Sequence, residues 1–551
     1  MTELPRDLDD VERALAYHRR TRHAPGRYAR ALGYMDWATQ PDPFRRFEGA
    51  QVVALDRPDP TPTPSFDALY ETLAPRSLDR AALSQLLFDA LALSAWKQHG
   101  QSRWSLRVNP SSGNLHPTEA YVIAPALDGM GEGAAVWHYQ PFVHGLERRR
   151  ALTPEALAAL AIPEGAVLLG LSSIHLRESW KYGERAYRYC QHDVGHALGA
   201  LAYAAAALGW RARVTRATDD DLSRLLGLDA QHEASPEGAE REHPDVLVMV
   251  GPPEVLDPMY RPTTEALTRV ESCALAGTPA RLCDDHHPWP VIDEVAHACR
   301  RAEVDPVEPA PVAPAMTWTD RGGSARHVLR TRRSAVSMDG VTRATAEVFH
   351  RMLARLAGHE PQATTTLAPR VHPALLVHRV EGVEPGLYLL PRTPQAAASL
   401  RACTDGALAW EAMAPAALGW YRLLEGDAQA AARAVMCGQD IAADGAFTVA
   451  FLGELAPALR EGGAHRYRAL HWEAGLLGQV LYLEAEASGL RATGIGCFFD
   501  ERVHDLLGLD SQRFAMLYGL SVGGPVDDAR LVTLEGYAHL AEGAAARGGA
   551  S

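Results

Sequence analysis

The sequence predicts an α+β fold in which one folding unit occurs twice and the two copies pack together as an intramolecular pseudo-dimer. The chain has 551 residues, of which 47% are hydrophobic and 22% are charged, so it can bury the cores of two or more domains. Two similar segments recur at one constant separation, and each carries helix and strand patterns in the same order. A Pro-rich stretch lies between them.

The repeat is carried by two long segments rich in Ala and Leu. Residues 195–212 (GHALGALAYAAAALGWRA) align with residues 475–492 (GLLGQVLYLEAEASGLRA) at an offset of 280 positions. After one inserted residue, LLGLD recurs at residues 225–229 and 506–510, and a short apolar run follows in each copy. Several matches in one register indicate a duplication rather than a coincidence of composition.

Each copy is predicted to contain a long helix that ends near a Gly, a short strand, a helix that begins at an Asp, and a second strand. Small residues on the long helix allow another helix to approach closely, which packing across an approximate two-fold requires. Two independent domains joined by a linker are the alternative.

The chain is therefore divided into four segments. These are an N-terminal extension (residues 1–65), a first half (66–260), a Pro-rich linker (261–325) and a second half (326–551). The linker prediction depends on residues 304–314 (VDPVEPAPVAP), because repeated prolines remove backbone donors and favour extended chain.

Charge and composition exclude several classes of protein. The formal net charge of −14 repels phosphate backbones and anionic membranes, so neither nucleic acid nor a membrane is expected as a partner. The acidic N-terminus lacks the succession typical of a signal peptide, and no apolar run approaches the ~20 residues that span a bilayer. The seven cysteines are scattered and include no C-x-x-C pair. A reducing, cytoplasmic location is expected.

Two motifs offer groups that bind anions. In residues 107–121 (RVNPSSGNLHPTEAY), Pro110, Ser111, Ser112 and Asn114 belong to a predicted tight loop rich in hydroxyl, amide and N–H groups. An ordinary turn is the simpler interpretation.

The second motif is RTRRS at residues 330–334, which ends in Arg332, Arg333 and Ser334. An arginine fork with a hydroxyl at a helix start suits a bidentate grip on phosphate. A solvated basic helix start explains the pattern equally well.

Two further motifs concern the chemistry of the site. Gly494 and Gly496 follow the second long helix, where glycines allow a flat ligand to approach the backbone. Lys181 and Tyr182 are adjacent and, if desolvated, could act as general base and acid. The simpler interpretation of this pair is a Lys stem packed on an aromatic ring.

Two clusters imitate metal ligands. His192 and His196 in HDVGH have the spacing of a zinc-protease helix, but Asp replaces the glutamate and no third ligand is evident. Residues 284–287 (DDHH) lie among prolines and are interpreted as a solvated loop. No metal is therefore predicted.

Taken together, these motifs resemble the flavin-dependent nitroreductase-like superfamily, in the tandem form of its SagB-type dehydrogenase (azoline oxidase-like) branch. The segments that carry the resemblance are residues 17–50, 107–121, 180–201 (WKYGERAYRYCQHDVGHALGAL), 330–334 and 489–496 (GLRATGIG). The resemblance implies an antiparallel mixed sheet flanked by helices, pairing through a long central helix, and FMN held between the halves.

The resemblance also implies one composite FMN site per chain. The first half contains PSSGN with only a trace of the arginine start, whereas the second half contains RTRRS and GIG without PSSGN. Arg332, Arg333 and Ser334 are then expected at the ribityl phosphate and pyrimidine edge, and the two glycines at the redox-active ring nitrogen. Ser111, Ser112 and Asn114 are expected to reach the flavin from the other half.

By the same resemblance, Lys181 and Tyr182 become the candidate acid–base pair of an FMN-dependent oxidoreductase. The expected substrate is a small molecule or peptide, and NAD(P)H is a candidate transient electron donor. A reductase of nitro or other electron-poor compounds, a flavin-binding or peptide-docking module without turnover, and a metallohydrolase built on HDVGH are the alternatives. Further oligomerisation is left open.

Overall fold

The structure is a computed structural model. It describes residues 4–5, 8–59, 61, 63–234, 240–303, 316–358, 368–510 and 512–541. The Pro-rich stretch at residues 304–314 lies outside the described residues.

The first part of the chain contains both helices and strands. Its helices are α1 (Asp10–Arg20), α2 (Arg80–Ala90), α3 (Pro154–Leu160), α4 (His175–Tyr182), α5 (Ala186–Ala206), α6 (Asp219–Leu226), α7 (Leu228–Ala234), α8 (Thr264–Glu271) and α9 (Pro290–Ala298). Its strands are β1 (Phe47–Glu48), β2 (Val52–Ala54), β3 (Leu93–His99), β4 (Ser102–Arg107), β5 (Thr118–Ala124), β6 (Ala135–Gln140), β7 (Gly145–Ala151), β8 (Val167–Ile174), β9 (Arg211–Val214), β10 (Glu242–Gly251) and β11 (Thr278–Pro279).

The second part follows the same scheme. Its helices are α10 (Ala325–Thr331), α11 (Ala346–Gly358), α12 (Pro394–Cys403), α13 (Gln429–Val435), α14 (Ile441–Asp444), α15 (Leu455–Gly462), α16 (Arg466–Ala487) and α17 (Arg502–Leu507). Its strands are β12 (Ser337–Met338), β13 (Val371–Val377), β14 (Gly386–Leu389), β15 (Glu411–Ala412), β16 (Tyr421–Glu425), β17 (Phe447–Gly453), β18 (Arg491–Ile495), β19 (Ala515–Gly523), β20 (Pro525–Val526) and β21 (Val532–Glu535).

Each half is built on a seven-stranded antiparallel sheet. The strand orders are β2-β7-β6-β5-β8-β10-β9 and β15-β16-β14-β13-β17-β19-β18. Every residue of β8, β17 and β19 is buried, so elements cover both faces of the sheet at these strands. In both halves the same series of helix and strand leads from β8 or β17 to the sheet edge, as a duplication requires.

The repeated segments form the centre of the molecule. Helices α5 and α16 begin 280 residues apart and pack along each other, crossing near Gly195 and Gly475. A short strand follows each helix after a Gly with positive φ, Gly209 or Gly489. The predicted pseudo-dimer is confirmed, because the two copies share one helix–helix interface and are not separate domains on a string.

Contacts on both sides of this interface repeat across the approximate two-fold. Arg188 on α5 donates to Asp500 of the second half at 2.7 Å, and Arg468 on α16 donates to Asp219 of the first half at 2.7 Å. All four side chains are buried. Partnered charges tolerate such burial, and removal of one partner would strand the other.

The halves also exchange segments. Helix α1, from the expected N-terminal extension, and helix α9, from the expected linker, bury apolar residues in the hydrophobic core that contains α16. In return, α10 packs in the core around α5, and strand β21 pairs with β3. Much of the segment expected as a linker is therefore folded. The linker prediction depended on the number of prolines, whereas α8 and α9 fold because each buries an apolar face.

Within the described ranges, no helix is both long enough and apolar enough to cross a membrane.

Candidate functional site

A cleft of about 810 Å³ opens between the two halves beside the central helices. Both halves line it, and ten of the eleven residues predicted for the site are among its walls. From the first half these are Pro110, Ser111, Ser112, Asn114 and Tyr182; from the second half they are Arg332, Arg333, Ser334, Gly494 and Gly496. The eleventh residue, Lys181, contacts the loop that carries Asn114. The tertiary structure thus brings the predicted residues together, and their roles stay predictions.

The loop of the PSSGN motif has an irregular backbone conformation. Gly113 and Asn114 both have positive φ values, 63° and 58°. The Ser112 N–H lies 3.2 Å from both carboxylate oxygens of Asp193 on α5, and the Ser112 hydroxyl donates to the same group. The Ser111 hydroxyl accepts from the His116 N–H at 2.8 Å. Hydrogen bonds to Asp193 on α5 and within the loop therefore anchor the base of the loop, while Asn114 lines the cleft.

Lys181 and Tyr182 converge on one point of this loop. A Cβ atom on Gly113 would lie 2.7 Å from the Tyr182 hydroxyl and 3.1 Å from Lys181 Nζ. Only glycine leaves room there and also adopts the positive φ without strain. Burial, and then Glu178, hold the pKa of Tyr182 well above its ordinary value, so this phenol keeps its proton.

Lysine is rare in this chain, which makes its placement informative. Of the 54 Lys and Arg residues only two are lysines, Lys97 and Lys181. Lys97 lines the same cleft, where its Nζ donates to Thr533 at 2.7 Å. Both primary amines of the side chains therefore lie at the candidate site.

Arg332 and Arg333 form the cationic wall of the cleft. Arg332 is buried, donates to the carbonyl oxygens of Arg107 and Val108 at 3.3 Å, and packs over the Tyr482 ring. Its Nη1 is buried without a hydrogen-bond partner among the described residues. Burial, and then the neighbouring Arg332, lower the pKa of Arg333 to about 9. Two desolvated guanidinium groups side by side favour an anionic ligand.

The segment of Gly494 and Gly496 lies beside Ser334 in the wall of the cleft. The Gly494 N–H donates to the Tyr482 hydroxyl at 2.7 Å, and Ser334 lies 2.9 Å from that hydroxyl. A Cβ atom on Gly494 would overlap the Tyr518 hydroxyl, and one on Gly496 would overlap the Tyr189 ring. Close packing of two tyrosines is thus one reason for glycine at these positions, a reason that the sequence did not suggest.

A pair of buried carboxyl groups lies beneath the loop and was missed by sequence reasoning. Burial raises the pKa of Asp193 to about 7. Burial, and then Asp193, hold the pKa of Glu178 well above its ordinary range. Glu178 is on α4, one turn before Lys181. For Asp193 the available signal was an acidic residue within α5, a helix that is otherwise rich in Ala and other apolar residues; α4 is mostly polar and offered no such signal for Glu178.

Further residues of the cleft were not predicted. Asn109 is buried, and its Oδ1 has no hydrogen-bond partner among the described residues. Arg491 and Tyr518 complete the walls, and residues 526–533 reach the rim because β21 crosses to the first half. Local pattern could not reveal these contacts, since they depend on the exchange of segments between the halves.

The histidines of HDVGH make contacts inside the protein. His196 lies 3.0 Å from the Tyr518 hydroxyl and 3.3 Å from Gln479 Oε1, and His192 stacks on the Tyr518 ring. Burial lowers the pKa of His196 to about 3, so this ring is neutral. No group of three or more metal-ligating side chains occurs in the part of the chain that the structure describes.

The related position in the second half is arranged differently. Glu473 replaces Asp193 at the offset of 280, and it accepts from the Arg370 N–H at 3.1 Å and from the Arg392 guanidinium. Where the second half has Gly494 and Gly496, the first has Val214 and Arg216. At this position Asp193 anchors the PSSGN loop in the first half, whereas Glu473 forms an ion pair in the second half.

Comparison with known proteins agrees with the duplicated fold. The sequence profile of the nitroreductase family matches residues 72–235 and 388–524, which together are more than half of the chain. A nitroreductase-type protein from Anabaena variabilis is similar over 93% of this chain and 99% of its own, with a TM-score of 0.66 and 20% identity.

Two further structures are similar over smaller parts. A nitroreductase-type protein from Ralstonia eutropha covers 39% of this chain and 95% of its own, with a TM-score of 0.26 and 17% identity. A chain of the E. coli microcin synthetase McbBCD complex with truncated pro-MccB17 bound covers 40% of this chain and 79% of its own, with a TM-score of 0.28 and 16% identity. No curated protein matches the sequence significantly.

The fold and cleft define a tandem α+β protein with a cleft that residues of both halves line. The chain belongs to the nitroreductase family, a family of oxidoreductases, and carries the nitroreductase-like fold twice. The fold class predicted from the sequence is confirmed.

Proposed function

We propose that this protein is an FMN-dependent oxidoreductase of the SagB-type dehydrogenase branch, with a single flavin site per chain in the composite cleft. One observation carries the proposal: Arg332, whose buried Nη1 has no partner among the residues that the structure describes, lines the same cleft as Asn114 from the other half. An unpaired donor of a buried cation is costly unless a ligand accepts from it.

The residues of the cleft fit the groups that FMN presents. Arg332, Arg333 and Ser334 would hold the ribityl phosphate and the pyrimidine edge, and Asn109 Oδ1 offers an acceptor to which no described residue donates. The Gly494 and Gly496 backbone would face the redox-active ring nitrogen. Positive charge on this wall favours an anionic phosphate and an anionic reduced ring. The volume of about 810 Å³ lies within the range of ligand pockets.

The flavin, when bound, supplies the two-electron chemistry. The protein supplies the proton transfer: Lys181 Nζ is the base that removes a proton from the substrate carbon, and Tyr182 keeps its own proton and donates a hydrogen bond. Both groups approach from the first half at Gly113, whereas the cationic wall belongs to the second half.

The proposed substrate is an azoline-containing peptide or a small molecule of similar chemistry, from which Lys181 would remove a proton while FMN, when bound, would supply the two-electron oxidation. The SagB-type assignment is supported by the PSSGN motif and the Lys181–Tyr182 pair of the first half and by the RTRRS and GIG motifs of the second half. In the reverse direction, NAD(P)H would be a transient donor, and the cleft would reduce nitro or other electron-poor groups.

The decisive experiment measures the visible spectrum of the purified protein and the amount of flavin per chain. One FMN per chain is expected. Two FMN molecules per chain would show that the second half retains a site despite the ion pair of Glu473. No bound FMN after incubation with excess FMN would refute the proposal. Anaerobic bleaching by a synthetic thiazoline peptide or by NADPH, followed by turnover in air, separates an enzyme from a flavin-binding module without turnover.

A further inference from the structure

Two cysteines that are 60 positions apart in the sequence meet at the edge of the cleft. The Sγ atoms of Cys437 and Cys497 lie 2.9 Å apart, and both residues are partly exposed. Cys497 directly follows Gly496 and lines the cleft, whereas Cys437 lies behind it in the turn after α13. The sequence alone gave no reason to pair them, since C-x-x-C spacing is absent.

The local backbone fixes this pair. Cys437 has a positive φ of 54°, which is uncommon outside glycine and directs its side chain towards Cys497. Gln439 Nε2 donates to the carbonyl oxygens of both Cys497 and Met436 at 3.0 Å. The Phe499 N–H donates to the Val435 carbonyl oxygen at 2.8 Å. Hydrogen bonds on both sides of the sulfur atoms therefore join the two segments.

The charges around the pair make the two thiols unequal. The Cys437 S–H, and then the Arg185 guanidinium, lower the pKa of Cys497, although burial opposes them. The same hydrogen bond and burial raise the pKa of Cys437. Arg185 is held by hydrogen bonds to the carbonyl oxygens of Thr21 at 2.6 Å and Gly496 at 3.2 Å and by a 3.0 Å ion pair with Asp500. The Asp500 carboxylate acts against the lowering of the Cys497 pKa. A thiol with a lowered pKa beside a cation is the more reactive nucleophile.

We propose that Cys437 and Cys497 form a redox-active dithiol site that exchanges with low-molecular-weight disulfides entering the cleft. The Cys497 thiolate attacks one sulfur of the disulfide RS–SR, forms a mixed disulfide and releases RS⁻. Cys437 then gives up its proton and attacks Cys497 Sγ, which releases the second RS⁻ and closes an intramolecular disulfide. The protein loses two electrons, the small disulfide gains two, and the two cysteine protons pass to the released thiolates.

The geometry requires only a small movement. The sulfur atoms must approach from 2.9 Å to the bonded distance of about 2.05 Å. Four of the other five cysteines, Cys190, Cys273, Cys283 and Cys299, are buried. Cys403 is partly exposed like the pair and is free, so it provides a matched control. The proposal does not depend on the cofactor.

The test treats the reduced full-length protein with oxidised glutathione and maps the cysteines by mass spectrometry without reduction. The expected main product is a cross-link between the peptides of Cys437 and Cys497, which dithiothreitol reverses. Cys437→Ser should abolish the cross-link and accumulate glutathione on Cys497. Cys497→Ser should leave Cys437 unmodified over the same time, and Cys403→Ser should cross-link as the native protein does.

The native protein alone suffices to refute the proposal. Recovery of Cys437 and Cys497 as free thiols, or as separate glutathione adducts without a cross-link, would overturn it. The two single variants test which thiol attacks first. If glutathione modifies Cys437 in the Cys497→Ser variant as fast as it modifies Cys497 in the Cys437→Ser variant, Cys497 is not the attacking thiol.

Discussion

Gly195 and Gly475 lie against each other where the two central helices cross, and each makes room for the backbone of the other helix. A Cβ atom on Gly195 would overlap the carbonyl oxygen of Trp472, and a Cβ atom on Gly475 would overlap the carbonyl oxygen of His192. Positions 192 and 472 are themselves 280 apart, so the contact is reciprocal. The close approach of the two central helices thus follows the approximate two-fold.

The first prediction concerns this crossing. Gly195→Ala and Gly475→Ala should each lower the free energy of unfolding by about 1–3 kcal/mol, because backbone cannot yield as a flexible side chain does. Alanine has the higher helix propensity by about 1 kcal/mol, so a loss cannot come from the helix itself. Urea or thermal unfolding measures the change. Gly406→Ala, where a Cβ atom meets open space, is the control and should be neutral.

The second prediction concerns the cationic wall. Arg332→Ala should weaken FMN binding by roughly 10- to 100-fold, since a charge-assisted contact is worth about 1.5–3 kcal/mol. Titration of the flavin-free protein, followed by flavin fluorescence, measures the dissociation constant. Arg269→Ala removes an exposed arginine of α8 and should leave the constant unchanged. Equal affinities of the Arg332 and Arg269 variants would place the flavin elsewhere.

The third prediction separates chemistry from binding. Lys181→Ala should keep the yellow colour and the FMN dissociation constant, but lose bleaching by a synthetic thiazoline peptide. Lys181→Arg should behave alike, because arginine keeps the positive charge and cannot accept a proton at working pH. Normal bleaching in either variant would show that Lys181 is not the base.

The fourth prediction concerns the buried carboxyl groups beneath the loop. Burial raises the pKa of Asp193 to about 7, above about 3.9 for an unfolded carboxyl group. Between these values the folded protein binds more protons than the unfolded chain, so the contribution of Asp193 to stability falls as the pH rises through this window. In Asp193→Asn that contribution is absent.

The measurement is the melting temperature of Asp193→Asn minus that of the native protein. This difference should rise between about pH 4 and about pH 7 and change little above that range. Asp220→Asn, which removes a carboxyl group at an exposed position of α6, is the control measured in parallel. Parallel curves for native protein and Asp193→Asn would contradict the raised pKa.

Much of the fold could be predicted because the evidence for it is local. The match of residues 195–212 with 475–492 marked the two central helices and the strands after them, since helix and strand patterns are periodic in sequence. The folded linker helices were not predicted, because prolines dominated the interpretation of residues 261–325. The roles of the site residues stay predictions, although the motifs that carry them meet in one cleft.

The sequence by itself determined that the unit is repeated and which motifs each half retains, and it predicted which side chains bind an anion or move a proton. Only the tertiary structure decided that Lys97 and Asn109 join them, that Tyr189 and Tyr518 occupy the space beside the two glycines, and that Cys437 meets Cys497. The physical reason is that periodicity and turn chemistry act over a few neighbouring residues. Contacts between distant segments depend instead on how the two halves exchange helices and strands across their interface.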